Sequence, residues 1–121
     1  MNRITYFKLA GKEYPAAYTL GAEEEFEERF HGLENLKKAM EERGTTKMTL
    51  DVAEILMKHG ARKAEIITGK EQEPVNMTEL KEILSPTDFP DLIDQVMTCI
   101  RLGQENEVEG VPTSKKKAEE P

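Results

Sequence analysis

The chain has 121 residues, which is enough for one hydrophobic core and too few for a multidomain enzyme. Its 24 acidic and 17 basic side chains give a net charge of -7, which disfavours nucleic acid and anionic membrane surfaces as partners, because both attract cationic proteins. No apolar run reaches the ~18–20 residues that cross a bilayer, and the first residues lack a signal-peptide pattern. We therefore expect a soluble protein in the cytoplasm.

The first predicted element is a β-hairpin. Residues 4–9 alternate in side-chain type and are rich in β-branched and aromatic residues, and residues 13–18 form a second such segment after a turn at 10–12. Pro15 has no N–H to donate, so the second strand is expected to be short or at a sheet edge. Two strands alone are marginally stable in water, so helices must cover one face of the hairpin.

Two surface helices are predicted next. From Gly21 onward, the spacing between apolar residues changes from two residues, as in a strand, to 3.6 residues, as in a helix. The first helix carries glutamates opposite its apolar stripe and is expected to break or bend at Gly32. The second ends at Gly44. The inward positions are Ala22, Phe26, Phe30 and Leu33 in the first helix, and Leu33, Leu36 and Met40 in the second.

A central, mostly buried helix is predicted from Thr49, because apolar side chains cover most of its circumference. Gly60 either closes or bends this helix, and the apolar stripe allows it to continue as far as Gly69. Residues 69–76 form a polar loop that contains Pro74.

Two further helices complete the predicted fold. Thr78 is expected to cap a short helix that stops at Ser85-Pro86. Asp88 is expected to cap the most regular helix of the chain, which Gly103 ends. The apolar positions of this last helix are Phe89, Leu92, Ile93, Val96, Met97 and Ile100.

These elements predict an α+β fold that is mainly α, with the N-terminal β-hairpin packed on a bundle of about five helices. Residues 1–103 form a single globular domain. Residues 104–121 form a flexible polar tail, expected to be disordered because Val108 and Val111 are its only large apolar residues.

No catalytic constellation is visible in the sequence, so we expect no enzyme, no cofactor and no metal site. His31 and His59 are expected near helix C-termini, where a histidine suits the helix dipole. Cys99 is expected to be a packing residue, since no cationic neighbour in sequence lowers its pKa. The glutamates at 23–28 are expected to form a solvated face rather than a metal site.

The sequence instead points to binding. The stripe of the last helix is the candidate partner surface, because an apolar helix face can accept the apolar helix of another protein. Core packing is the alternative role for the same side chains, and the sequence alone does not divide the stripe between core and groove. The candidate residues are Leu92, Ile93, Val96, Met97 and Ile100.

The order and spacing of several short motifs resemble the tail assembly chaperones of long-tailed phages and prophages of Gram-positive bacteria. The similarity runs from residue 4 to residue 103. The motifs are GKEYP at 11–15, LGA at 20–22, FEERF at 26–30, MKHGA at 57–61 and LSPTDFP at 84–90.

This resemblance implies a protein without enzymatic activity that binds the tape measure protein, keeps it soluble and helps to gather tail tube subunits. Such a protein acts in the host cytoplasm and is not expected in the mature virion. In that family a ribosomal frameshift near the end of the reading frame often yields a longer product. This extended form is one means by which the chaperone contacts the tail tube protein. Lysines 115–117 fit an A-rich slippery run. The resemblance identifies no contact residues.

Two other functions remain open at this stage. A structural head-tail connector or minor tail protein shares the small compact domain but persists in the virion. An acidic inhibitor that mimics DNA is favoured by the net charge of -7, but the acidic residues concentrate on one helix and the tail rather than at phosphate-like intervals.

Overall fold

A computed structural model describes residues 4–109, which form one β-hairpin and five α-helices. The predicted α+β, mainly α fold is confirmed. Short 3-10 turns at Leu33–Asn35 and Pro86–Asp88 precede the second and fifth helices. The elements are β1 (Thr5–Leu9), β2 (Lys12–Ala16), α1 (Leu20–Phe30), α2 (Leu36–Arg43), α3 (Thr45–Thr68), α4 (Met77–Ile83) and α5 (Phe89–Glu109).

The hairpin closes through a two-residue turn at Ala10 and Gly11. Both residues have positive φ, 53° and 79°, which is the signature of a type I′ turn whose twist matches that of the strands. Leu9 pairs with Lys12, and Tyr6 pairs with Pro15. In an antiparallel hairpin, opposite residues alternate between hydrogen-bonded and non-hydrogen-bonded pairs. Counted from the turn, Tyr6 and Pro15 form a non-hydrogen-bonded pair, so the missing N–H of Pro15 costs the hairpin no hydrogen bond.

The outer edge of β1 is covered by a side chain of α5. The Lys8 backbone N–H donates to Gln95 Oε1 at 2.6 Å, and Gln95 Nε2 donates to the Lys8 carbonyl at 3.1 Å. The amide thus makes the two bonds that a third strand would make at this position. It attaches the hairpin to α5 and protects part of an exposed strand edge.

Helix α3 lies at the centre of the core, as predicted. It begins at Thr45 rather than Thr49, and it continues through Gly60 to Thr68. The hairpin packs on it through β2, and Phe7 and Leu9 of β1 belong to the same hydrophobic core. Its buried residues are Met48, Thr49, Val52, Ala53, Ile55, Leu56, Met57, Gly60 and Ala64.

Two predicted N-cap residues are wrong. Asn76, and not Thr78, caps α4, since Asn76 Oδ1 accepts a bond from the Glu79 N–H at 3.1 Å. Asp88 does not cap α5. It forms a capping box with Ser85 around the preceding 3-10 turn, and Asp88 Oδ2 accepts from the Ser85 N–H at 2.9 Å.

The predicted end of the last helix is also wrong, because α5 continues past Gly103 to Glu109. Gly103 serves close packing: a Cβ there would lie 2.6 Å from the Tyr18 carbonyl oxygen. The first residues assigned to the polar tail, 104–109, are therefore helical. Residues 110–121, for which disorder was expected, lie outside the described part of the chain.

Candidate functional site

The structure divides the predicted partner-binding stripe of α5 between core and surface. Leu92, Val96 and Ile100 are buried, with exposed fractions of 2%, 5% and 7%. They pack in the protein's own core. Ile93 is half-buried, and Met97 is 58% exposed. Partner binding through Ile93 and Met97 stays a prediction, whereas the other three side chains are buried.

An apolar cleft opens beside the start of this stripe, where α3, α4 and α5 meet. It has a volume of about 330 Å³. Leu50 from α3, Leu84 after α4 and Phe89 from α5 are half-buried around it, and the nearly inaccessible Leu92 also contributes to its lining. We name it the α3–α5 cleft. Its size is at the lower end of the range for binding pockets, ~300–1,000 Å³.

The Ser85-Pro86 sequence separates α4 from α5 beside this cleft. Helix α4 ends because the residue before a proline avoids helical backbone angles, and Leu84 is already extended with ψ of 143°. The chain then turns at once into α5 through the Ser85–Asp88 capping box. Leu84 and Phe89 are therefore presented by a short, hydrogen-bonded connection rather than by a long loop.

The charges at the mouth of the α3–α5 cleft are few and balanced. Asp88 is already engaged by the Ser85 N–H and hydroxyl. Lys81 lines the cleft and makes no ion pair with the residues at 4–109. Among the residues that the structure describes, the cleft therefore offers mainly apolar contact with one unpaired cation, an arrangement that suits the capture of an apolar segment.

A polar cluster centred on Glu25 joins α1 to α3. Glu25 Oε1 lies 2.9 Å from His59 Nε2 and 3.0 Å from Lys58 Nζ, and Glu25 Oε2 lies 3.6 Å from Arg29. Burial alone raises the pKa of Glu25, but the hydrogen bonds from His59 and Lys58 and their nearby charges outweigh it. The pKa therefore lies below its ordinary value of 4.5.

The two histidines have different environments. His31 follows α1 as its C-cap in a left-handed conformation, with φ of 65°, as expected for a histidine at a helix end. The prediction for His59 is wrong, because α3 does not stop at Gly60 and His59 is an interior residue of that helix. Its partner is the Glu25 carboxylate rather than the helix dipole.

Cys99 is buried, with an exposed fraction of 4%, and it belongs to the core cluster. The expected packing role is confirmed. Burial raises the pKa of Cys99 to about 11, against smaller opposing effects of Thr5, Lys63 and Tyr18. The thiol is therefore protonated at neutral pH, which makes it a poor nucleophile.

Most glutamates of α1 lie in solvent, as expected. Glu24, Glu27 and Glu28 are exposed, whereas Glu23 and Glu25 are half-buried. Within residues 4–109, the structure has no group of three or more His, Cys, Asp or Glu side chains that could hold a metal ion. None of the helices in the described range is long and apolar enough to cross a membrane.

No protein-family model, curated protein or solved structure matches this chain. Its function is therefore inferred from the geometry and chemistry of its surface and from the order of its sequence motifs.

Sequence reasoning missed Leu50, Leu84 and Phe89 as cleft residues. The pattern assigned Leu50 to a buried helix and Phe89 to the start of the α5 stripe. One local signal was available for Leu84. This residue directly precedes Ser85-Pro86, which stops a helix, so it lies at a helix end. The meeting of three helices at this point has no local signal.

Proposed function

We propose that this protein is a tail assembly chaperone of a long-tailed phage or prophage, and that it binds an apolar helical segment of the tape measure protein in the α3–α5 cleft. The observation that carries the assignment of the site is the open apolar lining formed by Leu50, Leu84 and Phe89. The order of motifs shared with such chaperones supports the choice of partner.

The chemistry of the cleft suits temporary capture. Burying one Leu-sized or Phe-sized side chain contributes about 1.5–3 kcal/mol, whereas association costs roughly 4–15 kcal/mol in lost translational and rotational freedom. A cleft that accepts a few apolar side chains therefore binds weakly by itself. Many copies can bind along one long client, and each weakly bound copy can be displaced when tube subunits close around the client.

The acidic face of α1 supports the same role. Glu24, Glu27 and Glu28 are exposed on one helix, and the whole chain carries a net charge of -7. Like-charged chaperone molecules on neighbouring clients repel each other, which opposes aggregation of coated clients. We propose that recruitment of tail tube protein follows client capture and uses a frameshift-extended form of the chain in the host cytoplasm.

Co-expression with the tape measure protein tests the proposal. The wild-type chain should keep the client in the soluble fraction, and Leu84→Glu should let it precipitate, because a carboxylate in the cleft opposes apolar burial. Ile66→Ser is the matched control, since Ile66 is an exposed apolar residue on α3 and does not line the cleft. Circular dichroism of each purified variant checks that it is folded.

Two outcomes contradict the proposal. If the client precipitates beside wild-type protein, the chaperone function is wrong. If Leu84→Glu maintains solubility as well as wild type does, the site is wrong. Mass spectrometry of purified virions separates the chaperone from a structural tail part, because a chaperone should be missing from the finished particle.

A further inference from the structure

A second groove lies on the other side of α4, between that helix, β2 and the loop at 69–76. Its volume of about 550 Å³ exceeds that of the α3–α5 cleft. We name it the hairpin–α4 groove. Its apolar lining consists of Ala10, Tyr14, Pro15, Pro74, Leu80 and Ile83.

Ile83 gives this groove an uncovered apolar surface. Its exposed fraction is 67%, so most of its side chain is accessible to a partner. Leu80 is one turn earlier on the same side of α4, and its exposed fraction is 3%. Leu80 therefore fixes the helix to the core and holds Ile83 at the groove. Tyr14 and Pro15, both half-buried, form the facing wall.

The polar lining of the groove is strongly acidic. Glu13, Glu73 and Glu79 line it, and Lys12 is the single cation among its lining residues. In the described part of the chain, none of these three carboxylates takes part in an ion pair or a side-chain hydrogen bond. The α3–α5 cleft has one Lys and one Asp instead. The linings of the two grooves that share α4 therefore differ in charge.

The backbone around the groove disfavours an added β-strand as the occupant. Lys8 bonds outward to Gln95, so its partner Glu13 and the next alternate residue, Pro15, point their backbone groups away from β1. Pro15 has no N–H, and Pro74 on the opposite wall also lacks one. Negative charge excludes phosphate-bearing ligands. The occupant that complements both the apolar and the acidic lining of the groove is an amphipathic helix with cations beside its apolar stripe.

We propose that the hairpin–α4 groove is a docking site for a basic amphipathic helix of a partner protein. The apolar stripe of the helix packs against Tyr14, Pro15 and Ile83. Its Lys or Arg side chains reach the carboxylates that line the groove. This site is separate from the α3–α5 cleft, so it holds whether or not the latter binds a tape measure protein.

Fluorescence anisotropy with two labelled probe helices of equal length tests this proposal on the full chain. One probe has an apolar stripe flanked by lysines, and the other has the same stripe flanked by glutamates. The lysine probe should bind at least tenfold more tightly. Its affinity should fall about fivefold to tenfold for Glu73→Gln/Glu79→Gln, because two charge pairs are lost. It should also fall on raising the salt from 0.05 M to 0.5 M.

Glu27→Gln/Glu28→Gln is the matched control, since it makes the same change of net charge on an exposed face of α1. It should change the affinity less than twofold. Ile83→Ser should weaken binding and Ile66→Ser should not, because Ile66 is an exposed isoleucine outside the groove. Equal losses in the two glutamine double variants would show attraction to net charge alone and overturn the proposal. Equal binding of both probes would do the same.

Two other occupants of the hairpin–α4 groove, the chain's own terminal segment and a second copy of the chain, can be distinguished by experiment. If replacing the lysines at 115–117 by alanine in the full chain makes the lysine probe bind tenfold more tightly, the chain's own terminal segment competes for the groove. If sedimentation shows a dimer that Glu73→Gln/Glu79→Gln dissociates, the occupant is a second copy. Either result contradicts docking of a partner helix.

Discussion

Gly60, in the interior of α3, lies directly against Ala16 at the end of β2. A Cβ placed on Gly60 would be 2.3 Å from the Ala16 Cα and 2.5 Å from the Pro15 carbonyl carbon. This approach lets the Ala17 N–H donate to the Leu56 carbonyl oxygen at 3.0 Å. The glycine therefore determines how closely the hairpin packs on the central helix.

Gly60→Ala should destabilise the protein by about 3 kcal/mol or more, because backbone atoms of β2 must move to admit the methyl group. In an exposed helix the same substitution stabilises by about 1 kcal/mol, so the expected sign is opposite to that of helix propensity. Urea unfolding measures the change. Arg62→Ala, at an exposed position of the same helix, should stay within ~0.5 kcal/mol. A Gly60→Ala variant as stable as wild type would contradict the packing.

Thr49→Val should stabilise the fold by about 1 kcal/mol. Thr49 is buried in α3 with an exposed fraction of 2%, and its hydroxyl has no hydrogen-bond partner among the described residues. Replacing the hydroxyl by a methyl of similar shape removes that desolvation cost. Thr49→Ser retains the hydroxyl and loses the methyl, so it should destabilise. Thermal unfolding of both variants checks the pair, and a lower stability of Thr49→Val would indicate a hydrogen bond at this hydroxyl.

Ala10→Asn should raise stability by about 0.5–1 kcal/mol, because Ala10 occupies a left-handed conformation that asparagine tolerates better. The side chain is exposed, so packing contributes little to the change. Ala10→Val provides the opposite test, since a β-branched residue is strained at positive φ. Chemical unfolding should therefore rank the stabilities as Asn above Ala above Val. Any other order would contradict the type I′ turn.

Glu25→Gln should destabilise the protein by about 1 kcal/mol at pH 7, because it removes the charge that faces Lys58, His59 and Arg29. The pKa of Glu25 is lowered in the folded state, so its contribution is fully present above the ordinary pKa of 4.5. It is lost as the pH falls through the folded-state pKa.

The difference in unfolding free energy between wild type and Glu25→Gln should therefore shrink as the pH falls below 4.5. Glu28→Gln, on the exposed face of α1, should show little difference at any pH. A gap in unfolding free energy that widens below pH 4.5 would reverse the sign that the structure predicts.

The hairpin and the central helix could be predicted because their signals are local: alternation in residues 4–9 and apolar side chains around most of α3. The wrong helix end at Gly103 and the two alternatives left open at Gly60 have one cause. Glycine breaks helices by local propensity, but here each glycine allows another backbone to approach, Ala16 in one case and Tyr18 in the other. A single sequence does not report such distant contacts.

The candidate site was predictable only in part for the same reason. The α5 stripe was recognised from its period, but the period does not say which of its members pack against α3. Leu92 and Met97 belong to the same apolar stripe in the sequence, but in the fold Leu92 is buried and Met97 is exposed. Gln95 had no distinguishing signal, although it bonds to Lys8 across 87 residues of chain.

The central claim is that the α3–α5 cleft binds an apolar helix of the tape measure protein. The most direct measurement is a titration of the purified chain with overlapping synthetic peptides that cover that client. We expect at least one apolar helical segment to bind with a Kd on the order of 10 μM, about -7 kcal/mol. Leu84→Glu should weaken it at least tenfold, and Ile66→Ser should leave it unchanged. If no segment binds, or if Leu84→Glu binds as tightly as wild type, the claim is contradicted.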